Sequence, residues 1–244
     1  MGDVNHAAVY DVVNPWGRAP DDAFYLSRVM AARAVLDVGC GTGMLLRQAR
    51  ASGHQGRLCG LDPDDAMLAR ARESSAGAGI DWVLGDLGSA SWQGEFDLVV
   101  MTGHAFQELR TDEELRGSLR AIHTALTEDG RFVFETRNPA ARAWLRWTPE
   151  HARESVDPAT GATVRTAHQV QLPPDGDLVT FTTTVTSTDW AAPATGRSTL
   201  RFLDAPALAA HLADAGLTVL AQYGDWDGSP LTEASPEIIT TVAR

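Results

Sequence analysis

Lysine is missing from this chain. All 20 basic residues are arginine, which removes the chemistries built on an ε-amine: a P-loop lacks its phosphate-binding lysine and a pyridoxal site its Schiff-base residue. Positive charge is scarce as well. Set against 32 acidic residues it leaves a formal charge of −12, and no arginine cluster is large enough to form the basic face that a nucleic-acid backbone requires. No nucleic-acid partner is expected. Cysteine is limited to Cys40 and Cys59, too few for a disulfide framework and wrongly spaced for a zinc site. The seven histidines show no pair at metal-ligand spacing on a helix, so no metal is expected. No apolar run approaches the roughly 20 residues that cross a bilayer. The stretch Met1–His6 is acidic and polar, unlike a secretory leader. A cytoplasmic protein without membrane contact is the expectation, as a monomer or a homodimer.

What remains is ordinary globular material, 44% hydrophobic, enough for one α/β domain and a small insertion. Residues 1–30 are mixed and aromatic; they read as a loop or lid followed by a helix from Asp21 to Ala31, with Asp21 as its cap. From there short apolar runs alternate with helical stretches. Strands are expected at 34–38, 57–61, 80–84, 96–101 and 131–136, the last entered through an Asp129-Gly130 turn. Helices are expected at 43–51, 64–76 and 112–126, the last with Leu115, Leu119, Ile122 and Leu126 on one face. Near-continuous apolar strands separated by helices mean a parallel sheet covered on both faces, with its ligand crevice at the strands' carboxyl ends. The character changes after Pro149: Thr180, Thr182, Thr184 and Thr186 alternate with Phe181, Thr183, Val185 and Ser187, which favours strand. Residues 149–203 read as an inserted antiparallel sheet of about three strands. The α/β pattern returns over 204–244, which joins 31–148 as the main domain.

The most informative stretch is Val35-Leu36-Asp37-Val38-Gly39-Cys40-Gly41-Thr42-Gly43, a strand running into three alternating glycines and then a helix. A dinucleotide fingerprint needs its third glycine three residues past Gly41, where this chain has Met44. The ligand therefore lacks the pyrophosphate that such a helix end would bind. Asp62, just before Pro63 at the end of the second strand, is placed to accept both ribose hydroxyls. Asp86 ends the third strand, where it is placed to receive the exocyclic amine of adenine. A turn role for Asp62 and a loop-cap role for Asp86 are the plain alternatives.

With these residues the chain resembles the class I S-adenosylmethionine-dependent methyltransferases across roughly 30–140 and 200–244. The resemblance implies a three-layer Rossmann-like sandwich with a seven-stranded, mostly parallel sheet whose last strand is antiparallel. It also implies that Asp37, Gly39, Cys40, Gly41 and Gly43 line the methionine end of the cofactor. On the same basis Asp62 and Pro63 sit at the ribose, Met67 packs on adenine, and Asp86 with Leu87 meets the adenine edge. Met101 and Thr102 fall beside the transferred methyl, and Gly130 to Glu135 is similar to the family's fifth-strand motif. The inserted β region is similar to that of small-molecule members, including some glycine and amino-sugar N-methyltransferases.

Methyl transfer from a sulfonium is an in-line displacement with a neutral leaving group, so positioning and desolvation supply most of the acceleration. A base adds about 10²–10⁴-fold where the nucleophile must lose a proton. His104, directly after the fourth strand, is the candidate base; a histidine that binds substrate or caps the loop is the alternative. Arg137 is a candidate clamp for a substrate carboxylate, or a surface arginine. Tyr10 and Trp16 form a lid over the site or pack in the core, and Asp225-Trp226-Asp227-Gly228 forms another wall or a turn. Thr102-Gly103-His104-Ala105-Phe106 matches neither the amino-methylating nor the cytosine C5 DNA enzymes, and a lysine-dependent catechol mechanism has no lysine to use. A small-molecule acceptor at nitrogen or oxygen is the expectation. The rival readings are a protein that binds S-adenosylmethionine without transferring methyl and a nicotinamide-dependent oxidoreductase.

Overall fold

The computed structural model describes residues 6–244; residues 1–5, most of the stretch weighed as a leader, lie outside them. Two helices come first, α1 (His6–Val13) and α2 (Pro20–Ala31), followed by β1 (Ala34–Val38), α3 (Met44–Ala51), β2 (Arg57–Asp62), α4 (Asp65–Ser74), β3 (Asp81–Leu84), β4 (Phe96–Met101), α5 (Asp112–Ala125) and β5 (Leu126–Arg137). Then come β6 (Arg153–Val156), β7 (Thr163–Val170), β8 (Leu178–Ser187), β9 (Ala194–Arg201), α6 (Ala205–Asp214), β10 (Thr218–Tyr223) and β11 (Glu237–Ala243).

Seven strands form one sheet in the order β10-β11-β5-β4-β1-β2-β3. Only β11 runs antiparallel, wedged between β5 and β10. The order reverses at β1, which pairs in parallel with β2 on one side and β4 on the other, so the crevice opens where their carboxyl ends diverge. Because side chains alternate along a strand, each buried strand feeds two cores. Leu36, Val99, Phe132 and Phe134 pack with Leu115, Leu119 and Ile122 of α5 and Leu208 and Leu212 of α6. Val35, Leu98, Val100 and Val133 face the other way, onto Tyr25 and Val29 of α2 and Leu45 and Leu46 of α3. That is the expected three-layer sandwich.

The helix starts follow their capping chemistry. Thr111 and Glu114 complete a capping box on α5, and Asp64 and Asp204 cap α4 and α6 with their carboxylates. At α2 the expectation of an Asp21 cap is corrected: Ala19 is the N-cap, and Pro20, Asp21 and Asp22 follow it within the first turn. Residues 6–13, read as loop or lid, are helical. This helix is tied down by Asp11, whose carboxylate accepts from Thr42 Oγ1 at 2.5 Å and pairs with Arg47 at 3.0 Å.

Two further corrections concern strands. β5 begins at Leu126 instead of Arg131: its pairing with β4 jumps from Phe96–Leu126 to Leu98–Arg131, so residues 127–130, Asp129-Gly130 included, form an unpaired irregularity inside the strand. The inserted sheet has four strands in the order β6-β7-β8-β9, not three. Its inner face buries Val170, Val179, Leu200 and Phe202 against Trp144 and Trp147.

Candidate active site

The carboxyl ends of β1 and β4 and the loop before β11 open on one cavity of about 930 Å³. Its floor at one end is the glycine loop. Gly39 and Gly41 line the cavity, and Gly41 takes φ of +56°, a conformation that glycine adopts at no steric cost. The loop is fastened from β2: Asp62 Oδ2 accepts from Gly41 N at 2.7 Å, and its Oδ1 accepts from Asp64 N at 2.9 Å. Tyr10 of α1 lies over the loop, 4.0 Å from where a side chain on Gly41 would begin. Gly43 answers to packing instead. At φ +72° it starts α3, and a Cβ there would fall 2.1 Å from Cη2 of Trp82.

Asp37 is the electrostatic centre of this end. It is 1% exposed, lines the cavity, and its Oδ1 has no hydrogen-bond partner among the described residues. Burial, then the nearby Asp62 and Glu135, push its carboxyl up to about pH 7. A buried carboxylate with an open oxygen calls for a cation. S-adenosylmethionine carries two, an ammonium and a sulfonium, so this donor set fits the methionine half of that cofactor.

Of the other residues expected at the cofactor, Thr102 and Cys40 line the cavity with Asp37, Gly39 and Gly41. Met67 is buried on α4, while Met101 and Leu87 belong to the core on the α5 side of the sheet. Pro63 is exposed beside Asp62. Asp86 is exposed too, and its Oδ1 accepts from Gly88 N and Ser89 N, both at 2.9 Å. The structure thus gathers Asp37, Gly39, Cys40, Gly41 and Thr102 into one cavity and leaves Gly43, the ribose-side Asp62 and the adenine-side group outside its lining.

The opposite end holds the reactive side chains. Gly103 and His104 both take left-handed backbone, φ +64° and +65°, which is strained for histidine. Two contacts keep it there. His104 N donates to Glu135 Oε1 at 2.7 Å, and the following turn is pinned by Phe106, stacked on Phe134 at 4.3 Å. Glu135 is fully buried and also accepts from the Tyr25 hydroxyl. Its pKa is raised by burial, opposed by His104 and Tyr25.

The ring of His104 meets a residue that the sequence reading did not single out. Nε2 lies 3.0 and 3.1 Å from the two carboxylate oxygens of Glu237, the first residue of β11. Burial, then Arg137, lower the histidine to about 4, and burial lifts Glu237 to about 7 against the pull of Arg137. Around neutrality the imidazole is therefore neutral, and the pair takes up at most one proton beyond the ring's own N–H. Arg137 is no surface arginine. It lines the same cavity, with Nη1 on Gln107 Oε1 at 3.0 Å and its guanidinium 5.3 Å from the centre of Trp147. Trp16 and Tyr10 line the cavity as well, and Trp226 forms a wall by packing edge-on to Phe24 at 5.1 Å.

Comparison with known proteins agrees with this geometry. Residues 35–130 match a model described as a methyltransferase domain. The chain is 41% identical over 107 residues to the carboxy-S-adenosyl-L-methionine synthase of Wolinella succinogenes, a match covering 42% of this chain and 43% of that protein, under half its length. It is 26% identical over 229 residues to the cypemycin N-terminal methyltransferase of a Streptomyces species, covering 89% of this chain and 85% of the relative. In fold it is similar to the amino pentose methyltransferase CalS10 of Micromonospora echinaspora, solved with S-adenosylmethionine bound. That match has a TM-score of 0.71 at 22% identity and covers 100% of this chain and 98% of the other. Among the described residues no helix is long and apolar enough to cross a membrane. The glycine loop, the open buried carboxylate and the single antiparallel strand in a seven-stranded sheet are similar to those of the class I S-adenosylmethionine-dependent methyltransferases, and the methyltransferase-domain match spans residues 35–130.

Proposed function

We propose that this chain methylates a nitrogen of a small molecule, with oxygen as the alternative nucleophile. The observation that carries the reading is the continuity of the cavity from Asp37, past Thr102 and His104, to Arg137 and Glu237. The far wall carries Asp21, Asp225 and Glu237 beside Arg137, a surface suited to an amine with an anionic group nearby. Relatives named for N-terminal and amino pentose methylation support an amine.

When bound, the sulfonium supplies an electrophilic methyl group and leaves as a neutral thioether. The chain's own residues do the rest. Asp37 meets the cationic methionine end, and Asp62 uses its remaining lone pairs for the ribose hydroxyls, since each oxygen has accepted only one backbone proton. Asp86 and Met67 are the residues that would serve the adenine. Tyr10 and Trp16 shut out water, Arg137 clamps the acceptor's anionic group, and His104 receives a proton.

Release of S-adenosylhomocysteine across a panel of amines and alcohols tests the proposal. His104→Gln should lower kcat on an amine acceptor by about 10²-fold while leaving product-cofactor affinity within twofold; undiminished turnover would remove His104 from the chemistry. Asp62→Ala should weaken S-adenosylhomocysteine binding by about 1–3 kcal/mol in a tryptophan-fluorescence titration. Unchanged affinity would leave Asp62 as a loop anchor alone. A second reading has a specific basis: the 41%-identical relative is named as a synthase of carboxylated S-adenosylmethionine. Cofactor binding with no methyl accepted by any compound in the panel would favour it.

A further inference from the structure

Resting on that reading, we propose that the acceptor's proton is taken up by His104 and Glu237 acting as one unit, with Glu237 holding the ring and sharing the proton. The two come from distant parts of the chain and meet only because β11 runs antiparallel against β5, where Glu237 is register partner to Arg137. Both Glu237 oxygens lie within 3.1 Å of one ring nitrogen. Both side chains are largely buried, 18% and 15% exposed, and both line the acceptor end of the cavity. The backbone side of His104 is fixed separately by Glu135. One acid therefore sets the left-handed turn and the other sets the ring.

The step balances simply. An N–H bond of the acceptor ammonium breaks, its electron pair stays on nitrogen as the nucleophile, and the proton joins the imidazole–carboxylate pair. The pair goes from a net charge of −1 to zero. A buried anionic pair gains from that neutralisation, where a lone buried imidazole would have to become a cation against Arg137. Other groups facing the pair set its poise: Arg137 and Glu135 from β5, Asp21 from α2, and Asp225 from the loop between β10 and β11. The shifts of His104 to about 4 and Glu237 to about 7 place the added proton on the Glu237 side of the pair near neutrality. They also make the isolated histidine a poor base at that pH.

The experiment compares Glu237→Gln, His104→Gln and the double variant by S-adenosylhomocysteine release from an amine acceptor, with histidine-labelled NMR of the full chain alongside. Each single variant should lose about 10²-fold in kcat and the double no more than about threefold further, as residues acting as a unit do. In Glu237→Gln the NMR titration of His104 should move acidward by at least one unit, because the ring has lost its anion and kept Arg137. The acid limb of the wild-type rate profile, centred near 7, should move with it. Glu237→Asp keeps a carboxylate at shorter reach and should recover part of the rate, which also covers the case of a poorly folded glutamine variant. Multiplicative losses in the double variant, or a His104 titration indifferent to Glu237, would overturn the unit. Absence of S-adenosylhomocysteine binding by the wild type would instead overturn the proposed function, and the NMR titration reads the pair independently of turnover.

Discussion

Gly43→Ala should destabilise the protein by roughly 2–5 kcal/mol, adding the cost of a left-handed alanine to that of forcing a methyl into a filled space. The residue starts α3 at φ +72°, and the added Cβ would sit 2.1, 2.7 and 2.9 Å from three carbons of the Trp82 indole. That ring has little freedom to retreat. Its other edge covers Gly60 on β2, where a Cβ would lie 2.5 Å away, and its Nε1 donates to Ser75 Oγ at 3.0 Å. The two contributions separate in a double-mutant cycle. In a Trp82→Leu background the collision is gone, and Gly43→Ala should cost only its backbone part, about 1–2 kcal/mol. Urea midpoints at unchanged m-values measure both. Equal costs in the two backgrounds would mean that Trp82 is not what keeps residue 43 a glycine.

Gly43 also marks where sequence reasoning reached the right residue for an incomplete reason. The three alternating glycines signalled a ligand loop, and Gly39 and Gly41 do line the cavity. The third is held by an indole arriving from β3, 39 residues further along the chain, a contact that local spacing does not encode. The fold was legible for a related reason. Buried parallel strands leave unbroken apolar runs such as Phe96–Met101, found with the bounds expected. Failures cluster where tertiary pairing overrides local chemistry. Asp129-Gly130 has turn composition and falls in the unpaired stretch 127–130, but the strand already begins at Leu126 because that residue pairs with Phe96 of β4. β6 is four mostly exposed residues, Arg153–Val156, that form a strand only because β7 offers an edge. Residues 6–13 are helical partly because Asp11 has Thr42 and Arg47 to hold.

The site divides along the same line. Strand-end residues are readable because a parallel sheet delivers carboxyl ends to one edge; Asp37, Asp62, Thr102 and His104 follow from counting. Glu237 does not, since its importance depends on the antiparallel register that sets it beside Arg137 and within reach of His104. A cue existed: Glu237 is the one charged residue of the terminal strand, and such a charge at a strand end in this sheet points to the crevice. Tyr25 is one of several aromatics within residues 1–30, and its bond to the buried Glu135 depends on packing that the local sequence does not encode.

Asp37→Asn should stabilise the cofactor-free protein above neutral pH and cost it about 100-fold in affinity for S-adenosylmethionine. The stability part follows from linkage. The carboxyl titrates near 7 in the fold against an ordinary 3.8, so between those values the native state holds a proton that the unfolded chain has released. Below about pH 4 both states are protonated and the residue is neutral to folding. As pH rises through 7 the native state loses up to about 4 kcal/mol, because it must then carry a buried anion. Asparagine has nothing to titrate, so the variant's stability should fall less over pH 4–7, the remaining slope coming from groups shifted the same way, Glu237 among them. Binding has the opposite dependence. A cationic ligand needs the ionised carboxylate, so wild-type affinity should rise with pH up to about 7 and then level. Below that point calorimetry in buffers of different ionisation enthalpy should register proton release on binding. Asparagine keeps the shape and removes both the charge and the released proton. Should the variant bind S-adenosylmethionine as tightly as the wild type at pH 8, the open oxygen of Asp37 would not be facing the cofactor's positive charge, and the placement of the methionine half over the glycine loop would have to be abandoned.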